Sequence, residues 1–551
     1  MRRISALCAA AAVHAAYPIH AQTLIDATDA SGIEFVHQTG ATGAFYFPEI
    51  TGSGAGLVDW DNDGDLDAYL VQSGSVTGNS DGSPVDQLFR NDLDAGDGPG
   101  SLRFARVTEE SRATVAGYGM GVAAGDIDND GLTDLYVTQY GRNVMLRNLG
   151  GGRFADVSAE SGTDIGDWST SATFFDYDRD GWLDLFVVNY VAFSAKENPS
   201  CYAATSRRDY CGPSDFEPRP DRLLRNLGNG RFQDVTLPAL GEHRAGPGLG
   251  VVATDLNQDG WLDLYVANDG EHNHLWLNHQ GLRFQEDALF AGVAVNQRGV
   301  AEAGMGVAAA DFDEDGDVDL FVTHLMGETN TLYRNDGDAG FLDVTAPTGL
   351  GAVSRGYTGW ATRWLDLDLD GWLDLVSFNG AVRVLETQAQ TGDPYPFRQR
   401  NQLFISQAGQ SFVEVPAAES GALGQLASSR GAAFGDVDND GDVDVLLNNG
   451  NDRARLLLNP RTPRRWLGLR LVSGEGDQPG AGAVLSFDRG RPQHRQVRAD
   501  GSYASANDPR LLFHWTSGQQ PQSLEIIWAD GTRQSVGVPA TGRYTTLRRE
   551  P

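Results

Sequence analysis

The nine residues DWDNDGDLD, Asp59 to Asp67, decide how this chain is read, because the pattern they follow, D-x-[DN]-x-D-G-x-x-D, returns six more times. It recurs as DIDNDGLTD from Asp126, DYDRDGWLD from Asp176, DLNQDGWLD from Asp255, DFDEDGDVD from Asp311, DLDLDGWLD from Asp366 and DVDNDGDVD from Asp436. A Gly/Ala-rich stretch such as GMGVAAGD precedes the loop, and an alternating stretch such as LDLYVTQY follows it. An L-x-x-N segment (MLRNLG) and an F-x-D-V segment (RFADVS, RFQDVT, FLDVT) complete the unit. Four segments of period two per unit are strands, and loops about 50 to about 80 residues apart suit four-stranded blades. The expected fold is all-β: a seven-bladed β-propeller with a small C-terminal β-domain. The seventh unit ends at Leu456 to Asn459 without an F-x-D-V strand, and Leu24-Ile25-Asp26-Ala27-Thr28 resembles the missing one. The amino-terminal strand is therefore expected to complete the seventh blade and leave no open edge. Glycine triplets such as Gly117, Gly119 and Gly121, or Gly246, Gly248 and Gly250, open no helix and are assigned to strands crowded around the axis.

Acidic side chains at loop positions one, three, five and nine, with a turn-forming Gly at six, form an all-oxygen cage that suits Ca²⁺ better than Mg²⁺. The expected ligand sets are Asp59, Asp61, Asp63 and Asp67; Asp126, Asp128, Asp130 and Asp134; Asp176, Asp178, Asp180 and Asp184; and Asp255, Asn257, Asp259 and Asp263. The remaining three are Asp311, Asp313, Asp315 and Asp319; Asp366, Asp368, Asp370 and Asp374; and Asp436, Asp438, Asp440 and Asp444. Up to seven Ca²⁺ ions follow, the fourth site weakest because Asn257 is neutral. An EF-hand is excluded: it needs Glu at position twelve, where strand residues such as Leu70 and Val137 stand here. Trp182, Trp261 and Trp372 share one repeat position and are expected to pack between blades.

The loops, the glycine-rich strands before them and the F-x-D-V segments resemble the FG-GAP/VCBS-type repeats of integrin α-subunit propellers and their bacterial relatives, over about residues 23–460. RRWLGLRLVSG, PGAGAVLSFDRG, HRQVRADGSYASAND and SLEIIWADGTRQSV resemble the ASPIC/UnbV domain that follows such propellers in the CRTAC-like family. YCGP before DRLLRNLG, in the loop from Tyr190 to Asp221, is similar to the same family. The tail departs from the family pattern at Phe513–Gly518 and at Trp528-Ala529-Asp530-Gly531, the latter expected at a hairpin turn.

Met1-Arg2-Arg3, the apolar run Ile4 to Val13 and Ile19-His20-Ala21 read as a secretory signal cut after Ala21. The apolar run is too short to span a bilayer. The expected division is a signal peptide over 1–21, the repeat ring over 22–460 and the tail domain over 461–551. Export to the periplasm or medium makes Cys201 and Cys211, the thiols left after Cys8 is removed, one expected disulfide. Losing Arg2 and Arg3 moves the net charge from −33 to −35, which argues against nucleic acid as a partner. The tail carries thirteen Arg against eight Asp and Glu, so it either docks on the acidic ring or hangs from a linker near Arg461-Thr462-Pro463.

If each loop joins the first two strands of its blade, the loops share one face and function is expected on the other. Candidates there are Arg207, Arg208, His243, His272, His274 and His324, with Glu328 beside the last. No nucleophile elbow, zincin motif or phosphate loop occurs, so the leading expectation is an extracellular or periplasmic binding or scaffolding module for a protein or glycan. The alternative is an enzyme with His272, His274 and a carboxylate at the mouth of the axial channel.

Overall fold

The computed structural model describes residues 24–78, 83–93, 102–203, 205–474 and 476–549. The expected signal peptide, residues 1–21, lies outside them. Seven four-stranded antiparallel sheets occupy most of the chain. Their first strands are Ala55–Val58, Gly119–Gly125, Ser169–Phe175, Gly248–Thr254, Val307–Ala310, Gly359–Leu365 and Ser429–Gly435. Each neighbours the next, and the last returns to the first, so the sheets form a closed, propeller-like cycle.

In every sheet the acidic loop connects the first strand to the second, and the second begins at the ninth loop residue, as in Asp67–Leu70 and Asp134–Gln139. All seven loops therefore share one face. The loop turns at two left-handed positions. Glycine at position six has φ between 84° and 102°. Position four also has positive φ, at Asn62, Asn129, Arg179, Gln258, Glu314, Leu369 and Asn439. The sequence pattern marks the first and hides the second, because five residue types share position four. A leucine there is held against its own preference by the rest of the loop.

The seventh sheet takes its outer strand from the amino terminus: Ile25 pairs with Leu458 and Asp26 with Leu457. Thr28 repeats the role of its counterparts elsewhere. Its Oγ1 accepts the Leu456 N–H at 2.9 Å, as Thr108 Oγ1 accepts that of Leu88 (3.0 Å) and Ser158 Oγ that of Met145 (2.8 Å).

The L-x-x-N asparagine clasps one sheet to the next. Its backbone N–H donates to the ninth-position Asp, as from Asn148 to Asp134 at 2.6 Å, and its carboxamide donates to the position-two carbonyl of the preceding sheet's loop. Those bonds run Asn91 to Val437 (2.8 Å), Asn148 to Trp60 (2.7 Å), Asn226 to Ile127 (2.8 Å), Asn278 to Tyr177 (2.9 Å), Asn335 to Leu256 (2.8 Å) and Asn459 to Leu367 (3.3 Å). Ser406 stands at this place in the sixth sheet and keeps only the backbone half, to Asp374 at 2.8 Å. Asn278→Ala would strand the buried carbonyls of Tyr177 and Leu262 and is expected to cost about 2–4 kcal/mol, against about 1 kcal/mol for Ser406→Ala. Urea denaturation in saturating calcium measures both, and equal losses would remove the clasp from the account.

The tail forms two sheets. Trp466–Ser473 pairs with Gly476–Asp477, Leu511–His514 and, in parallel, Tyr544–Arg548. Gly482–Phe487 pairs with Gln493–Gln496 and Pro521–Ile527, the last also with Arg533–Val536. Leu469, Leu485, Phe513, Ile526 and Trp528 are among the apolar residues buried in this domain's core. The turn at Ala529-Asp530-Gly531 joins two of the strands, with φ of 81° at Gly531.

The tail docks on the ring. Residues 498–508 enter the axis from the loop face and hydrogen-bond to several first strands. Ser502 exchanges backbone bonds with Val307 (2.8 and 2.9 Å), the Val122 N–H donates to Ala504 O (3.1 Å) and the Leu57 N–H to Ala506 O (3.0 Å). Tyr503 is fully buried, donates to Thr51 O at 3.0 Å and meets the Trp360 ring edge-on at 4.7 Å. This finger gives the axial glycines a further reason: a Cβ on Gly54 would stand 1.6 Å from Ala504 O.

Candidate functional site

Each acidic loop is folded by its own carboxylates. The position-one Asp accepts the N–H groups of positions five and six, as Asp126 does at 3.1 and 2.8 Å and Asp366 at 3.0 and 2.8 Å. Position five accepts the N–H of position seven, as Asp370 does from Trp372 at 2.8 Å. Position nine accepts the N–H of position two and of the clasping residue. Position three differs. Asp61, Asp128, Asp313, Asp368 and Asp438 each bury Oδ1 with no hydrogen-bond partner. In the third loop Asp178 instead meets Arg225 at 2.7 Å, and in the fourth Asn257 donates to Asp259 at 3.2 Å.

Oxygens of positions one, three and nine lie within 4.8 Å of one another in the loops at Asp59, Asp126 and Asp176, and those of positions one, three and five in the loop at Asp311. Burial pushes Asp59, Asp176 and Asp255 up to about 6 and Asp67 and Asp184 up to about 9, with neighbouring aspartates adding to the rise. Crowded, desolvated carboxylates with orphaned oxygens are the donor set that a hard cation satisfies. At position seven, Asp442 is fully buried and both its oxygens lack partners. Aspartate repeats at that position, as Asp65, Asp317 and Asp442.

The tail reaches the same loops. His494 Nδ1 lies 3.0 Å from Asp311 Oδ2, His514 Nδ1 lies 3.2 Å from Asp366 Oδ2, and the Tyr544 hydroxyl donates to Asp436 Oδ2 at 2.8 Å. Arg495 pairs with Glu314 at 2.9 Å, and Arg510 donates to Asp436 O at 2.8 Å. A cavity of about 730 Å³ lies between ring and tail, lined by acidic-loop residues and by Arg363, Arg498 and Arg510. The three repeat tryptophans pack at one place in the unit, and Trp261 does so between sheets as expected. Trp182, Trp261 and Trp372 lie on Gly228, Gly281 and Gly409, in the turns that close the outer hairpins of their own sheets. Trp261 also meets the preceding sheet, through Arg179 at 3.8 Å.

On the opposite face, Cys201 and Cys211 form a disulfide at the base of a short hairpin. Arg207 pairs with Glu386 at 3.0 Å, Arg208 donates to Ala44 O and Pro199 O at 3.3 Å each, and Tyr210 donates to the buried Glu49 at 2.8 Å. These bonds fasten the disulfide segment over the ring. The candidate histidines do not line an axial channel, because Tyr503, Trp360, Phe47 and Tyr190 belong to one apolar cluster that fills the axis. His243, His272 and His274 instead share a cavity beside the third strand of the fourth sheet. His324 is not among its lining residues; it is buried, 1 % exposed, at the end of the fifth sheet's second strand.

The FG-GAP-like repeat family matches residues 59–137, 126–187, 210–266, 255–322 and 311–377, and the ASPIC and UnbV family matches residues 474–551. Cartilage acidic protein 1 of Mus musculus is 30% identical over 176 residues, covering 30% of this chain and 26% of that protein. The Homo sapiens protein of that name is 28% identical over 176 residues, covering 30% and 25%. The chain thus spans about a quarter of the length of the curated relatives it matches. Among solved structures it is similar to the BP39L lectin from Burkholderia pseudomallei, with TM-score 0.45 and 10% identity over 75% of this chain and 97% of that one. It is also similar to an Agrocybe aegerita lectin that recognises non-reducing terminal N-acetylglucosamine, with TM-score 0.36 and 16% identity over 62% and 81%. Among the described residues no helix is long and apolar enough to cross a membrane. With FG-GAP-like repeats over more than half its length and an ASPIC and UnbV domain behind them, the chain belongs to the FG-GAP-like repeat family and is related to cartilage acidic protein 1.

Proposed function

We propose that this chain is an exported, calcium-dependent binding or scaffolding module. In this reading, residues 1–21 are a signal peptide, 22–460 a seven-bladed propeller holding up to seven Ca²⁺ and 461–551 the ASPIC/UnbV domain. The position-three oxygens left without partners in five loops support calcium at those sites, where the Asp side chains supply oxygen ligands and the cation neutralises them. The disulfide supports an oxidising compartment.

The observation that carries the ligand-binding reading is the docked tail. It covers the loop face and fills the axis, so the ring's accessible recognition surface is the opposite face, built from the disulfide segment and the connections between sheets. Tyr202 stands there 62 % exposed on the disulfide hairpin. Purified mature protein, screened on glycan arrays and against periplasmic and surface extracts with and without calcium, is expected to retain one ligand class in calcium. Tyr202→Ala, melting like the parent, is expected to weaken that binding. Retention that ignores both calcium and substitutions on this face would overturn the proposal.

A further inference from the structure

His243, His272 and His274 have no part in the acidic loops. His243 lies in the connection that enters the fourth sheet, and His274 begins its third strand, His274–Asn278. The rings of His243 and His274 stand 6.1 Å apart, close to perpendicular, and pack edge-on against Trp276 at 4.7 and 5.6 Å. With His272, Glu271 and Glu286 they line a cavity of about 300 Å³. His274 is 8 % exposed, and its Nδ1 is buried with no hydrogen-bond partner. His243 Nδ1 meets Gly241 O at 3.1 Å, which places the proton on Nδ1 and leaves Nε2 as the lone-pair nitrogen.

We propose that His243 and His274, with His272 at the rim, bind one divalent transition-metal ion such as Zn²⁺, Ni²⁺ or Cu²⁺. Imidazole nitrogens select this class, whereas the all-oxygen loops suit calcium, so the two ions do not share a site. Two rings on one tetrahedral zinc have centroids roughly 5.2 Å apart, given a Zn–N bond of about 2.0–2.1 Å. The observed 6.1 Å is wider by about 1 Å, and rotation of the half-buried His243 brings the pair toward tetrahedral geometry. Glu271, paired with Arg244 at 2.9 Å, offers a nearby oxygen.

The test uses untagged, full-length mature protein, stripped of transition metals and saturated with calcium so that the acidic loops are blocked. Zinc titration by calorimetry is expected to give one ion per chain, and cobalt a visible d–d absorption. His243→Ala and His274→Gln are each expected to weaken zinc about tenfold or more and to abolish the cobalt band. His243 sits in a surface connection, so His243→Ala carries the test even if His274→Gln unfolds. No zinc uptake by the calcium-loaded parent, or uptake unchanged in His243→Ala, would overturn the proposal.

Discussion

In excess EGTA the melting midpoint of the mature chain is expected to fall by about ten degrees or more, or cooperative melting to vanish. Each loop buries several carboxylates against one another, and five of them leave a position-three oxygen with no partner. Without a cation these groups are desolvated and mutually repelling; with one they become ligands. At a dissociation constant near 10⁻⁴ M and about millimolar calcium, linkage contributes ~1.4 kcal/mol per site, hence roughly 10 kcal/mol over seven sites. At about 2.1 cal/mol/K of unfolding entropy per residue, a ring of roughly 440 residues shifts by about 1 °C per kcal/mol, so linkage alone moves the midpoint by about ten degrees. The pH dependence is expected to change sign with calcium. Without it, carboxylates whose folded pKa is raised bind protons in the native state first. Their contribution to stability is therefore present at low pH and lost as pH rises from about 4 through about 6 for Asp59, Asp176 and Asp255. With calcium the ligands must be ionised, so stability is lost as pH falls through the same window. Scanning calorimetry from pH 4.5 to 7.5 in each condition checks both. Superimposed melts in EGTA and in calcium would remove the cation from the account of this fold.

Deletion of residues 22–30 is expected to destabilise the whole ring by several kcal/mol and to make the protein self-associate. The segment contributes far more than a frayed end would. Ile25 and Asp26 pair with Leu458 and Leu457, Ala27 N–H donates to Leu456 O at 2.9 Å, and Thr28 Oγ1 accepts from Leu456. Leu24 is 2 % exposed, within the apolar cluster that also holds Tyr503 and Trp360. Without the segment, Arg455–Leu458 becomes an unpaired edge above exposed apolar side chains, the arrangement that templates association. Melting curves and light scattering of the truncated chain in saturating calcium measure the effect. A monomer melting with the intact mature chain would show that the strand is dispensable.

The local sequence by itself determined the repeating unit, the placement of every acidic loop and the phasing that sends Ile25–Asp26 to the last sheet, because these depend on period-two alternation, turn chemistry and the order of like segments. It also laid out the acidic cluster of each loop, since aspartates and turn glycines are written at fixed spacing. The left-handed fourth position stayed hidden because unlike side chains accept it once the loop encloses them. The role of the L-x-x-N asparagine was hidden too, because its acceptor lies 79 to 346 residues away, as between Asn335 and Leu256 or Asn91 and Val437. Tertiary structure alone decided that the tail docks, that Tyr503 fills the axis, and that His243 joins His272 and His274 while His324 is buried elsewhere. Those outcomes depend on which distant surfaces meet and exclude water, and short-range patterns carry no record of that.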